Sequence, residues 1–157
     1  MFKGKGCTKE DKELLKRNDI LVTYSDNGWF NQGLTQKWLQ KVLGTTLFGH
    51  RLLIWDAFKC HISDATKDLL KQMKIDVIVV PGGCTKFLQT LDVSCNKPFK
   101  AAIEDSYDNW MQHGEKTFTK NGNIRAATKT TLCEWVLDAW KGIDATLIKK
   151  RNSKLGV

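Results

Sequence analysis

Apolar positions along the chain fall into alternating blocks of strand and helix period. Residues 1–18 are polar and lysine-rich, and Thr8 to Arg17 fits a loop or a short surface helix. Asp19-Ile20-Leu21-Val22-Thr23-Tyr24 is apolar and β-branched, which predicts a strand. Ser25-Asp26-Asn27-Gly28 is turn chemistry. Asn31 can cap a helix in which Leu34, Trp38, Leu39 and Val42 recur at helical spacing, with Gly44 as its stop. Arg51 to Asp56 is an apolar run expected to be a strand buried on both faces. Ser63 can cap a helix carrying Ala65, Leu69 and Met73 on one side. Ile75 to Val80 reads as a third strand, closed by Pro81-Gly82-Gly83. From 31 to 80 the order is helix, strand, helix, strand, which predicts an α/β layer with a parallel pair.

Beyond Asp92 the period is helical. Phe99, Ala102, Ile103, Ser106 and Trp110 share one face. Pro98 is compatible with a first turn or a kink, so this helix begins at Asn96, or earlier with a bend. His113 to Gly122 is a polar loop. Leu132, Trp135, Val136, Ala139 and Trp140 then follow amphipathic spacing up to Gly142. Asp144 can cap a last short helix ending in Lys149-Lys150-Arg151. There is no internal repeat and no low-complexity tract.

Composition narrows the class. At 157 residues the chain has the size of one domain, or of part of a larger one. Its 41% hydrophobic and 27% charged shares are those of an ordinary globular protein. No run approaches the roughly 18 apolar residues of a membrane span, so no membrane partner is expected. The segment Met1 to Gly6 lacks the apolar core of a secretory signal. Cys7, Cys60, Cys84, Cys95 and Cys133 are odd in number and show no C-x-x-C spacing, which speaks against a disulfide framework or a zinc knuckle. The formal charge is +8, and half of that excess sits in the last 17 residues, where Lys141, Lys149, Lys150, Arg151 and Lys154 face Asp144 alone. Such a balance suits a polyanion through counterion release, and equally suits a solvated basic surface.

Two carboxylates stand out. Asp56 ends an apolar strand, and Asp92 ends an uncharged run, 36 positions later. Open α/β sheets place their sites at the C-terminal edges of strands, and two carboxylates converging there can hold a divalent ion. An Asp that merely begins a turn would look the same at Asp56. His61, five residues on, can hydrogen-bond a carboxylate or a phosphate, or be a satisfied loop histidine.

The words around these residues are specific. Trp55-Asp56-Ala57-Phe58-Lys59-Cys60-His61 is followed by Pro81-Gly82-Gly83-Cys84-Thr85-Lys86-Phe87-Leu88-Gln89-Thr90-Leu91-Asp92-Val93-Ser94-Cys95-Asn96-Lys97-Pro98-Phe99-Lys100. Together they resemble the DDE superfamily of cut-and-paste transposases, in its pogo/Tigger-like branch and domesticated relatives. That family carries a strand ending in a catalytic Asp with a His after it, then a loop close to P-G-G-x-T-x-x-L-Q-P-L-D-V-S-x-N-K-P-F-K. Thr90 stands where the family usually has Pro. Phe2-Lys3-Gly4-Lys5 resembles the family's F-K-G-K, Asn27-Gly28-Trp29-Phe30-Asn31 its G-W-M-N, and Trp110-Met111 and Ala139-Trp140 its later W-M and A-W pairs. Arg151-Asn152 departs from the Ser-Phe of relatives. The resemblance covers essentially the whole chain.

The resemblance implies an α/β, ribonuclease H-like fold in which three acidic residues hold two Mg²⁺ or Mn²⁺ ions for in-line attack on a DNA phosphodiester. Asp56 matches the second family carboxylate and Asp92 the third, with His61 as an auxiliary group. The first carboxylate lies in relatives upstream of F-K-G-K, and neither Asp19 nor Asp26 matches it. The expected architecture is therefore a ribonuclease H-like fold truncated at its N-terminus, with the first strands missing and C-terminal helices present. Residues 1–112 would be the partial catalytic domain and residues 113–157 its C-terminal helical extension. DNA or another nucleic acid is the implied partner, the nucleus the implied location, and self-association through an unpaired strand edge stays open. With the first carboxylate unmatched, the expectation leans against chemistry by this chain itself. A non-catalytic domesticated nucleic-acid-binding module and an inactive gene fragment are the rival readings.

Overall fold

The computed structural model describes residues 1–44, 49–82, 95–144 and 146. The chain forms two compact units, Met1–Lys5 with Tyr24–Leu88, and Gly6–Thr23 with Gln89–Val157. Its helices and strands mix in the α/β manner.

The first unit is built on a parallel ladder. Strand β3 (Arg51–Asp56) pairs in register with β4 (Ile75–Val80), from Arg51 opposite Ile75 to Asp56 opposite Val80. A parallel pair needs a crossover, and helix α3 (Asp64–Gln72) supplies it. On the other side of the sequence, Asn31 caps α2 (Gln32–Trp38) by accepting from Leu34 N at 2.9 Å. A π-turn, Leu39–Leu43, continues that helix to Gly44, whose φ of 60° only glycine adopts without strain. Arg51 locks this end: its guanidinium donates to the carbonyls of Leu43 and Gly44, a cation placed where helix carbonyls lack partners. Leu39, Leu70, Met73 and Ile75 form the core, with Trp38, Leu43, Leu53, Trp55 and Leu69 packed around it. Two further short strands, β1 (Phe2–Lys3) and β2 (Tyr24–Ser25), also pair in parallel.

Three expectations shift in detail. The apolar run 19–24 is not a full strand, because β2 holds only its last residue and Val22 is buried within the helical unit instead. Among the described residues, one face of β3 packs on the core and the other does not. Leu53 and Trp55 pack inward, whereas Leu52, Ile54 and Ile78 are each roughly half exposed. Leu52 to Trp55, apolar at every position, thus carry one core face and, among the described residues, one open face. Of the expected 65/69/73 stripe, Met73 is buried and Leu69 packs against the core, but Ala65 is exposed and α3 turns Thr66 and Leu70 fully inward. Thr66 sets that phase by donating from Oγ1 to the Cys60 carbonyl at 2.9 Å.

The second unit is helical. Thr8 caps α1 (Lys9–Leu14) in a reciprocal box with Asp11. Helix α4 (Lys97–His113) takes Pro98 in its first turn, and α5 (Lys129–Lys141) is capped by Thr128. An aromatic seam joins α4 to α5. Trp110 and Trp135 lie 6.1 Å apart, Tyr107 and Trp135 6.3 Å, and Phe99 and Trp140 6.2 Å, all edge-to-face. Helix α1 is fastened to the start of α5 by charge. Lys129 donates to the buried Asp11 carboxylate at 2.6 Å, and Glu10 accepts from Thr130 N at 2.9 Å and from its hydroxyl at 3.0 Å. Beyond α1, the Arg17 guanidinium bonded to Asp19 at 2.6 Å holds that carboxyl down to about 2, and the carboxylate in turn raises the arginine. The thiol of Cys133 is buried, which pushes its pKa up and leaves it inert. Among the described residues Cys7, Cys60, Cys95 and Cys133 carry thiols rather than disulfides.

Two stability outcomes follow from these contacts. Lys74 ends α3 at φ 55°, in the left-handed region. Lys74→Gly should therefore raise stability by about 0.5–1 kcal/mol in urea unfolding. Lys129→Met removes a cation bonded at 2.6 Å to the buried Asp11 carboxylate and should cost about 3 kcal/mol in the same measurement.

Candidate functional site

Strand β3 delivers Asp56 to the C-terminal edge of the ladder, where the chain leaves the sheet. The next residues fold back tightly. Asp56 Oδ1 accepts from Phe58 N at 3.2 Å, an Asx-turn that reverses the backbone. Phe58 O then accepts from His61 N at 2.8 Å. The turn is pinned to the core by Thr66, bonded to the Cys60 carbonyl, and Cys60 Sγ reaches the Phe30 carbonyl at 3.9 Å.

This reversal lays His61 back over the strand it came from. Its ring stacks on Trp55 at a centroid distance of 4.2 Å with 5° between planes, and Phe58 meets its edge at 5.5 Å. His61 Nδ1 lies 2.8 Å from Asp56 Oδ1. An ionised carboxylate only accepts, so Nδ1 carries the proton and Nε2 is the acceptor of the neutral ring. The Asp56 side chain is 57% exposed while that of His61 is 24% exposed. The carboxylate thus faces solvent on a backing that holds it in one orientation. Its hydrogen bonds among the described residues all fall on Oδ1, which leaves Oδ2 open to a ligand. Beside the stack, Phe30, Trp38, Leu53 and Trp55 line an apolar cavity of about 320 Å³.

The structure therefore brings together two of the three residues singled out from sequence, Asp56 and His61. The third, Asp92, lies outside the described residues, as does most of the long motif around it. Among the described residues no group of three or more His, Cys, Asp or Glu side chains is placed to hold a metal. A divalent ion suits what is described at the strand end: Asp56 offers a hard, solvent-facing oxygen already oriented by a neighbour. Trp55 was not singled out from sequence as a functional residue. The signal was an aromatic residue directly before the candidate Asp, with a His six positions on, but only the backbone reversal makes them touch.

A family model described as DDE superfamily endonuclease matches residues 1–151. The pogo transposable element with KRAB domain of Mus musculus is 32% identical over 125 residues, covering 77% of this chain and 21% of that protein. Its Homo sapiens counterpart is likewise 32% identical over 125 residues, covering 77% of this chain and 20% of that protein. An MFS-type transporter of Cochliobolus lunatus is 29% identical over 106 residues, which is 65% of this chain and 12% of the transporter. Among the described residues no helix is long and apolar enough to cross a membrane. The chain spans about a fifth of the length of the pogo-element relatives. No solved structure matches the chain.

The stack and hydrogen bond on His61 should be measurable. His61→Ala removes both, and is expected to lower stability by about 1–2 kcal/mol. It should also free the Asp56 side chain, read as a change in the Asp56 carboxyl NMR signal that Lys67→Ala does not cause.

Proposed function

Because the chain belongs to the DDE superfamily of endonucleases, we propose that it is a nucleic-acid-binding DDE domain whose parent chemistry is metal-dependent DNA strand cleavage and transfer, on a ribonuclease H-like fold. The observation that carries this reading is the exposed Asp56 carboxylate, held by His61 at the end of a parallel strand, in a chain of that family. In this reading Asp56 and Asp92 are the carboxylate ligands of Mg²⁺ or Mn²⁺. When bound, such an ion supplies Lewis acidity at a phosphodiester oxygen and activates the attacking hydroxyl or water. His61 acts as a positioning residue: its Nδ1–H fixes Asp56 Oδ1 and turns Oδ2 outward. DNA is the substrate class and the nucleus the compartment, in keeping with the pogo-element relatives.

A second reading, a nucleic-acid-binding module without chemistry, draws on the +8 charge, which attracts a polyanion whether or not a metal is held. Binding of this kind is electrostatic and blind to sequence.

The two readings part on metal binding. Mn²⁺ binding followed by electron paramagnetic resonance should be lost in Asp56→Ala and again in Asp92→Ala, and weakened in His61→Ala. Retention of wild-type Mn²⁺ affinity in the two aspartate variants, with DNA binding intact, would leave the module as the account.

A further inference from the structure

Between α4 and α5 the chain forms a small, well-bonded β-hairpin over residues 117–125. Phe118 and Ile124 pair as an antiparallel bridge. Thr119 N donates to Asn123 O at 2.8 Å, and Arg125 N donates to Thr117 O at 2.8 Å. These bonds flank the bridge, so Phe118 and Ile124 form the non-hydrogen-bonded pair, the one whose side chains lie closest. A three-residue loop, Lys120-Asn121-Gly122, closes the hairpin. Gly122 N donates to Thr119 O at 3.0 Å, and its φ of 79° is the left-handed conformation that this loop length requires. The Thr119 hydroxyl also accepts from Asn123 N at 3.1 Å, and Arg125 Nε donates to Phe118 O at 3.0 Å. The tip is thus cross-braced well beyond the needs of a linker.

What it presents is unusual for a solvated loop. Phe118 is 57% exposed and Ile124 44% exposed, side by side on one face. Lys120 at the tip and Arg125 beside the pair are exposed too. From residue 116 to 133 the chain has four basic residues, Lys116, Lys120, Arg125 and Lys129, and no acidic one. Lys129 is committed to Asp11, and Lys116 Nζ donates to the Gly114 carbonyl at 3.3 Å. Lys120 and the outer nitrogens of Arg125 are the cations the hairpin turns outward. An apolar wedge flanked by cations on a rigid two-stranded ribbon is matched to a groove of duplex DNA, with its sugars and base edges inside and its phosphates on both rims.

We propose that the 117–125 hairpin is a DNA-docking finger, with Phe118 and Ile124 packed into a groove and Lys120 and Arg125 on the flanking phosphates. This rests on the DNA-binding reading above and adds the surface that carries it. The aromatic and aliphatic pair supplies contact area free of salt dependence, and the two cations supply the salt-dependent part. The two contributions are therefore separable by experiment.

The test is fluorescence anisotropy of a labelled duplex with the full chain at several salt concentrations. Phe118→Ser/Ile124→Ser is expected to weaken binding about tenfold or more with an unchanged salt slope. Lys120→Ala/Arg125→Ala is expected to reduce the slope of log affinity against log salt by about 1.8, two phosphate contacts at roughly 0.9 each. Lys67→Ala/Lys71→Ala, which removes the same charge from α3, should change the slope less. Unfolding midpoints identify any variant that fails to fold, and the exposed Lys120/Arg125 pair keeps the test valid if the apolar variant does. Wild-type affinity and slope in both hairpin variants would overturn the finger while leaving DNA binding in place. A wild-type chain that binds no duplex would overturn the DNA reading itself. Loss of self-association by Phe118→Ser/Ile124→Ser in sedimentation, with DNA affinity unchanged, would make the hairpin a protein contact and overturn the proposal.

Discussion

The parallel ladder between Arg51–Asp56 and Ile75–Val80 sets the terms for the first unit. Parallel strands cannot be joined by a tight turn, so α3 must cross between them, and its buried stripe becomes the core with Leu39 beneath it. The same register decides where the candidate chemistry sits. Asp56 is the last paired residue of its strand, and every bond that then turns the backbone and brings His61 back begins from that end. Shifting the register by one residue would send Asp56 inward and Trp55 out. Packing and site geometry are thus one constraint, carried by the alternation of Leu53 and Trp55 against Ile54 and Asp56.

Much of this was legible in the residues. Strand, helix and strand over 51–80 follow from period and from the turn residues around them, and the helices of the second unit follow from the spacing of Phe99 to Trp110 and Leu132 to Trp140. The errors share a cause. Apolar content says that a residue prefers burial but not which neighbour covers it. Val22 lies in a β-branched run, yet it is buried in the helical unit. Ile54 sits in the apolar run Leu52 to Trp55, yet it is nearly half exposed. Thr66, a polar residue, takes a fully buried place because its hydroxyl finds the Cys60 carbonyl. Hydrogen bonds decided what hydrophobicity left open.

The candidate site was legible in a different way. Asp56 and His61 stand out by residue type and by their place after a strand. Their contact could not be read, because five residues of loop can point a side chain anywhere. The Asx-turn at Asp56 and the stack on Trp55 remove that freedom. A carboxylate so braced has less conformational freedom left to lose when it takes a ligand. The brace also has a structural role, since His61 closes the turn over Trp55. Loss of stability and loss of ligand binding must therefore be measured separately at this residue.

Charge and chemistry are independent properties here. The cationic excess does not depend on the ladder. Lys120 and Arg125 lie on a hairpin of the helical unit, and part of the remaining excess lies in the sequence after Gly142. Carboxylate placement, by contrast, depends on the ladder to within one residue of register. Damage to the sheet edge would displace Asp56 and leave the basic residues of the helical unit in place, so carboxylate placement and affinity for a polyanion can be lost separately. DNA affinity alone therefore does not distinguish a working catalytic site from a retained binding surface. The distinction lies in the carboxylates, of which Asp56 faces solvent and is held through one oxygen by His61.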